Sequence, residues 1–157
     1  MATANLQAVV PIRKIDGAVI PILSFPEGAS LTSKQGEPVY LSSGYITVCG
    51  SDPSLIVGIL AEDGHNDSSA GTHNISVYPL AGVVFEGNVS TTTAATDVGT
   101  LYGLVVASNK MSIDKGDTGN TRCMVIAISS KGTVGDTYGL VEFVFVDKYD
   151  QLVGCNI

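Results

Sequence analysis

The chain has 157 residues, enough for one ordinary domain that buries a core of its own without disulfide or metal staples. Charged residues make up 15%, against roughly 25% in a typical soluble domain, so much of any surface must be built from neutral groups. Eight basic against fifteen acidic side chains give a net charge of −7; with Arg13-Lys14 as the longest basic run, nucleic-acid binding is not expected.

Residues 1–10 place no basic stretch ahead of an apolar run, so no secretory signal is expected. No run of about 18 apolar residues occurs anywhere, so no membrane span is expected either. Eighteen glycines divide the chain into short runs rich in Val, Ile, Tyr and Phe, which is the rhythm of many strands joined by turns. In chain order, strands are expected at 6–12, 18–25, 38–41, 45–49, 55–61, 74–79, 82–85, 101–107, 122–129, 138–146 and 152–155. Turn chemistry separates them: Pro26-Glu27-Gly28, Lys34-Gln35-Gly36, Ser42-Ser43-Gly44, Ser51-Asp52-Pro53 and the stretch from Asp114 to Asp117. No segment sustains a 3.6-residue period with caps; one or two helical turns within 90–98 are the most expected.

The expected fold is therefore all-β, a single-domain sandwich or barrel. The segment 1–25 is set apart because Pro11 and Pro21 interrupt its apolar runs. Proline removes a ladder donor, so this segment is an edge strand or an extended arm, and residues 26–157 form the body. Several strands do not alternate. The runs 104–107, 123–128 and 140–146 are apolar almost throughout, broken only by Glu142. Such strands need cover on both faces, from a second sheet, loops or another subunit. Residues 99–105 and 135–141 agree at five of seven positions, which reads as two similar entries into strands.

Chemistry is sparse. Cys49 and Cys123 lie in apolar runs and read as small buried hydrophobes in a chain made in a reducing cytoplasm, and Cys155 makes the count odd. Asn66, Asn74 and Asn88 open glycosylation sequons that carry no weight without export. His65 and His73 share one polar stretch with Asp63 and Asp67, but their spacing matches no known metal-ligand pattern, and the stretch reads as a solvated loop. The oxygen-rich turn 114–120 reads as an ordinary Asp-Gly turn. There is no Gly-x-Ser-x-Gly elbow and no phosphate loop, and Glu62, Glu86 and Glu142 are unpaired as catalytic carboxylates. Glu142 reads as a face-switching position or an ion pair across an interface. No enzyme activity, cofactor or metal is expected.

The order of signals carries a resemblance. GEPVYL at 36–41 is followed by GYIT at 44–47, IVGIL at 56–60, VYPL at 77–80, VFEGNV at 84–89 and DVGTLYGL at 97–104, and Cys123–Ile128 then precedes the run 138–146. Over residues 17–146 this succession resembles the small head decoration (cement) proteins of tailed bacteriophages with a β-tulip or β-barrel fold. The resemblance implies a non-catalytic protein on the capsid exterior, made in the host cytoplasm. It would bridge major capsid protein subunits, commonly as a homotrimer, and help the shell resist internal pressure. The chain departs from the family in having no obvious disordered N-terminal tail. The expected capsid contact is Pro11, Ile12, Arg13 and Lys14, for the proline and the lone basic pair on an acidic chain. The alternative is a β-sandwich adhesion or fibre module, with Tyr78 or Tyr149 stacking on host glycans.

Overall fold

The structure, a computed structural model, describes residues 2–153; Met1 and residues 154–157, with Cys155 and half of the strand expected at 152–155, lie outside the described residues, and the other half, Leu152 and Val153, is turn. Eleven strands follow one another: β1 (Val10–Lys14), β2 (Leu23–Pro26), β3 (Pro38–Ser42), β4 (Tyr45–Val48), β5 (Gly58–Leu60), β6 (Asn74–Tyr78), β7 (Val83–Asn88), β8 (Leu101–Ala107), β9 (Lys110–Asp114), β10 (Cys123–Ile128) and β11 (Leu140–Phe145). They form two antiparallel sheets packed as a sandwich, one in the order β1-β7-β11-β10-β8-β9 and the other β2-β6-β5-β3-β4. The all-β sandwich is as expected, and neither sheet closes into a barrel. Among the described residues helix is confined to single 3-10 turns at Ala95–Asp97, inside the expected stretch, and at Asp147–Tyr149.

Two cores lie on the two faces of the smaller sheet, and the larger sheet contributes its inner face to one of them. Phe85, Phe143 and Phe145 pack edge-on and stacked at 5.4–6.0 Å in the main core, with Val125, Leu104, Ile113 and, from the smaller sheet, Ile59. The opposite face of the smaller sheet holds a second core of Val39, Ile46, Leu60, Ile75 and Val77, closed by Leu31 from the loop after β2. Ile59 and Leu60 are neighbours that point into different cores, so β5 reads as unbroken apolar sequence. The sheets curl around these cores: Glu27 bridges Ile46 beside one, and Val89 bridges Ile113 beside the other.

Four expectations change. The run 6–12 enters the sheet only at Val10; residues 2–4 instead lie along the loop after β10, where Thr3 bridges Thr137 and Ala4 N donates to Thr137 O, and Asn5 and Gln7 bond to Asn88 at the end of β7. The run 18–25 is strand only from Leu23, because Gly17 turns the chain with a φ of 76°. β9 was not expected, although Met111 and Ile113 alternate with polar neighbours and are buried. The 99–105 and 135–141 echo is not structural: Tyr102 is buried within β8, whereas Tyr138 is exposed at φ 52° before β11 begins.

Candidate functional site

Pro11, Ile12, Arg13 and Lys14 all lie on β1, the edge of the larger sheet. The edge is a poor template for another strand. Pro11 has no N–H to offer, and a register shift between Pro11 and Arg13 leaves Ile12 as an unpaired bulge. Any contact made here goes through side chains. Arg13 Nη2 donates to Glu142 Oε2 at 2.8 Å, and this bond with Glu142 raises the guanidinium pKa further. Lys14 reaches Asp16 at 3.7 Å. The ion pair expected of Glu142 is thus made within the chain.

Why a carboxylate stands in that strand follows from the register. Glu142 lies directly opposite Glu86 on β7. Like charges so placed repel, and each is met by its own cation. Arg13 meets Glu142, while buried Glu86 accepts from Ser129 Oγ and Lys131 Nζ, both at 2.7 Å. Burial opposes the ionisation of Glu86, but the Lys131 and Ser129 bonds outweigh it and hold its pKa below the ordinary value.

The same face carries an apolar row. Met124 is opposite Val144 on one side and Leu101 on the other, whereas their neighbours Cys123, Phe145 and Tyr102 are opposite one another on the core side. The pairing of Phe143 with Phe85 puts Val144 in line with Val84, whose other partner is Arg13. A line from Arg13 through Val84, Val144 and Met124 to Leu101 therefore crosses the outer face. Val84 is covered, Val144 and Met124 are half-buried, and Leu101 is 44% exposed. Sequence reading found the two-sided character of these strands but not the row, because strand order is not legible locally.

The polar loop around the histidines and buried Asp97 are engaged in structure. Glu27, buried after β2, accepts from His65 N at 2.6 Å and meets His65 Nδ1 at 2.5 Å. The His65 and His73 rings stack at 4.3 Å, 14° from parallel, and His73 meets Asp67 at 3.4 Å. Ring lone pairs lie in the ring planes, so two stacked rings do not converge on one ion. Among the described residues no group of three or more His, Cys, Asp or Glu side chains is placed to hold a metal. Buried Asp97 takes Lys115 Nζ at 2.8 Å, the hydroxyl of Tyr102 at 2.9 Å and the N–H of Ala94 at 2.8 Å.

Asp52 and Asp117 flank Gly103, where a Cβ would stand 2.7 Å and 2.9 Å from their carboxylate oxygens, so a larger residue there would push the two side chains aside. Burial first, then Asp117, raises the Asp52 pKa; bonds from Asn120 first hold Asp117 low. Burial pushes the Cys49 thiol up to about 12 and the Cys123 thiol well above its ordinary value, so neither is a nucleophile at neutral pH. The two tyrosines considered for glycans are occupied: Tyr78 packs against the main core, and Arg122 lies 3.8 Å over the Tyr149 ring. The chain matches no protein-family model, no curated protein and no solved structure.

Proposed function

We propose that the chain is a non-catalytic structural protein that decorates the exterior of a bacteriophage capsid, bridging and stabilising major capsid protein subunits as a homotrimer. The observation that supports this reading is the apolar row on the outer face of the larger sheet, running from exposed Leu101 through half-buried Met124 and Val144 toward Arg13. An apolar strip beside one basic group suits a broad protein surface better than a small ligand, which needs a concave site. The sequence resemblance adds the identity of the partner. Pro11, Ile12 and Lys14 then form the rim of the contact, and the low charge density leaves little to desolvate.

Reinforcement by such a protein is mass action. Binding only the assembled shell stabilises it by RT ln(1 + [L]/Kd), about 2.7 kcal/mol per site at a hundredfold excess over Kd. Quantitative mass spectrometry of particles should find the chain in numbers comparable to the main shell protein, and particles lacking it should release DNA at lower temperature. A handful of copies, or equal thermal resistance without it, overturns the proposal. Met124→Lys should leave folding stability within ~1 kcal/mol, since the side chain is only half-buried, yet abolish occupancy on the shell. Full occupancy by that variant would remove the row from the contact.

A further inference from the structure

A pair of carboxylates joins the two sheets. Asp52 lies in the loop between β4 and β5 of the smaller sheet, and Asp117 in the turn between β9 and β10 of the larger one. Both grip neighbouring residues of β8. Asp52 Oδ1 accepts from Leu104 N at 3.0 Å and Asp52 N donates to Leu104 O at 3.3 Å, while Asp117 O accepts from Gly103 N at 2.7 Å. Asp52 Oδ1 and Asp117 Oδ2 converge on the place a Cβ of Gly103 would take, and the two side chains are within hydrogen-bonding reach of each other.

Two ionised carboxylates do not hold such a contact, since neither has a proton to donate and the charges repel. The surrounding charges do not relieve them. Arg122 acts on Asp52, but its donors go to backbone carbonyls: Nε to Pro53 O at 2.6 Å, Nη2 to Asp52 O at 3.0 Å and Nη1 to Thr121 O at 3.3 Å. Lys115, two residues before Asp117, is turned to Asp97. Asp114, opposite Gly103 on β9, adds a third acid, and the buried Cys123 thiol stays protonated at neutral pH.

We propose that the pair shares one proton, carried by Asp52, and that this proton closes a clasp between the two sheets that opens as pH rises. The donors decide which side carries it. Asp117 accepts from Gly119 N at 3.0 Å, Asn120 N at 2.9 Å and Asn120 Nδ2 at 3.2 Å, so both of its oxygens are engaged. Asp52 accepts from Leu104 N through Oδ1. The carboxylate richer in donors stays ionised and its poorer neighbour keeps the proton. The directions agree: burial first raises the pKa of Asp52, and bonds from Asn120 first lower that of Asp117. The folded chain therefore holds the Asp52 proton more tightly than the unfolded one. The clasp is at full strength below the ordinary carboxylate range and is lost as pH rises through the raised folded value. Opening is local, because Arg122 still holds Asp52 O and Pro53 O while the 115–120 turn comes away.

The test is amide hydrogen exchange followed by NMR on the full chain across a pH series, with Asp52→Asn and Asp117→Asn beside the wild type. In the wild type, protection of the Gly103 and Leu104 amides, corrected for the intrinsic rate, should fall by about tenfold or more as pH rises, while amides between β7 and β11 keep theirs. Asp52→Asn replaces the shared proton with an amide N–H: its oxygen still accepts from Leu104 and its nitrogen donates to Asp117. That variant should keep its protection at every pH. Asp117→Asn removes the same charge but sets an amide nitrogen against the donors of Asn120, so protection at Gly103 should be low throughout. Wild-type protection at these amides that does not vary with pH overturns the proposal, as does equal behaviour of the two variants. Protection restored at high pH by millimolar calcium also overturns it, since a cation and not a proton then joins the pair.

Discussion

At the scale of single residues, the larger sheet is held by carboxylates whose protonation has opposite consequences. The folded pKa of Glu86 lies below its ordinary value, through the Lys131 and Ser129 bonds that outweigh burial. The folded state therefore binds its proton more weakly than the unfolded chain. The stability it contributes is full above the ordinary carboxylate range and is lost as pH falls through the depressed folded value. Asp52 has the reverse sign, because its folded pKa is raised by burial and by Asp117; its contribution is present at low pH and lost as pH rises through the folded value. Replacing Glu86 by Gln keeps the shape but removes the negative charge that the Lys131 ammonium meets, leaving a neutral acceptor in its place. Glu86→Gln should cost about 1–3 kcal/mol at neutral pH. The difference from wild type should shrink on acidification, read as urea midpoints across a pH series. A difference that does not change with pH would mean that charge has no part in it.

At the scale of elements, the turns show what sequence conveys and what it hides. Ser43-Gly44 between β3 and β4 sits at φ values of 52° and 87°, the two-residue hairpin whose glycine announces it in the sequence. Ser108-Asn109 between β8 and β9 has the same geometry, at 51° and 59°, without a glycine. That absence is why β9 escaped notice, although Met111 and Ile113 supply the alternation. Serine is a poor occupant of the left-handed region and asparagine a better one. Ser108→Asn should accordingly stabilise the protein by about 0.5 kcal/mol in thermal or urea unfolding, with no change in assembly. A neutral or destabilising result would mean that the hairpin is held by its strands and the turn contributes nothing.

The ledger of what was legible divides along the same line. Composition and run length carry fold class and most strands, since each strand writes its burial into consecutive residues. The pairing of Glu142 with Glu86, the row through Met124 and the stacking of His65 on His73 depend on strand order and loop packing, which no local window contains. Glu27 and Asp97 look like ordinary turn residues in sequence and prove to be buried anchors because loops distant in sequence bring them their donors.

At the scale of the whole molecule, the N-terminal segment decides between two pictures of assembly. An arm that reaches onto a neighbour contributes to the oligomer and little to the folded monomer. Residues 2–9 are instead built into their own chain. Val9 is 1% exposed in the main core, Gln7 N donates to Asn88 Oδ1 at 2.7 Å, and Asn88 Nδ2 donates to Asn5 O at 3.0 Å. At the far end Ala2 N reaches Asp136 Oδ1 at 3.1 Å, in the loop that also supplies Lys131 to Glu86. Deleting residues 2–9 removes one fully buried valine, worth ~1.5–3 kcal/mol. It also strips partners from buried Asn88, at about 1–3 kcal/mol for a polar group left unsatisfied. The truncated monomer should therefore lose several kcal/mol by these two terms, a large share of the ~5–15 kcal/mol that holds a domain of this size together. Urea unfolding of the truncated chain at a concentration too low for association reads that loss directly. Unchanged monomer stability would return these residues to the role of an arm, and with them the docking of this protein to its neighbours.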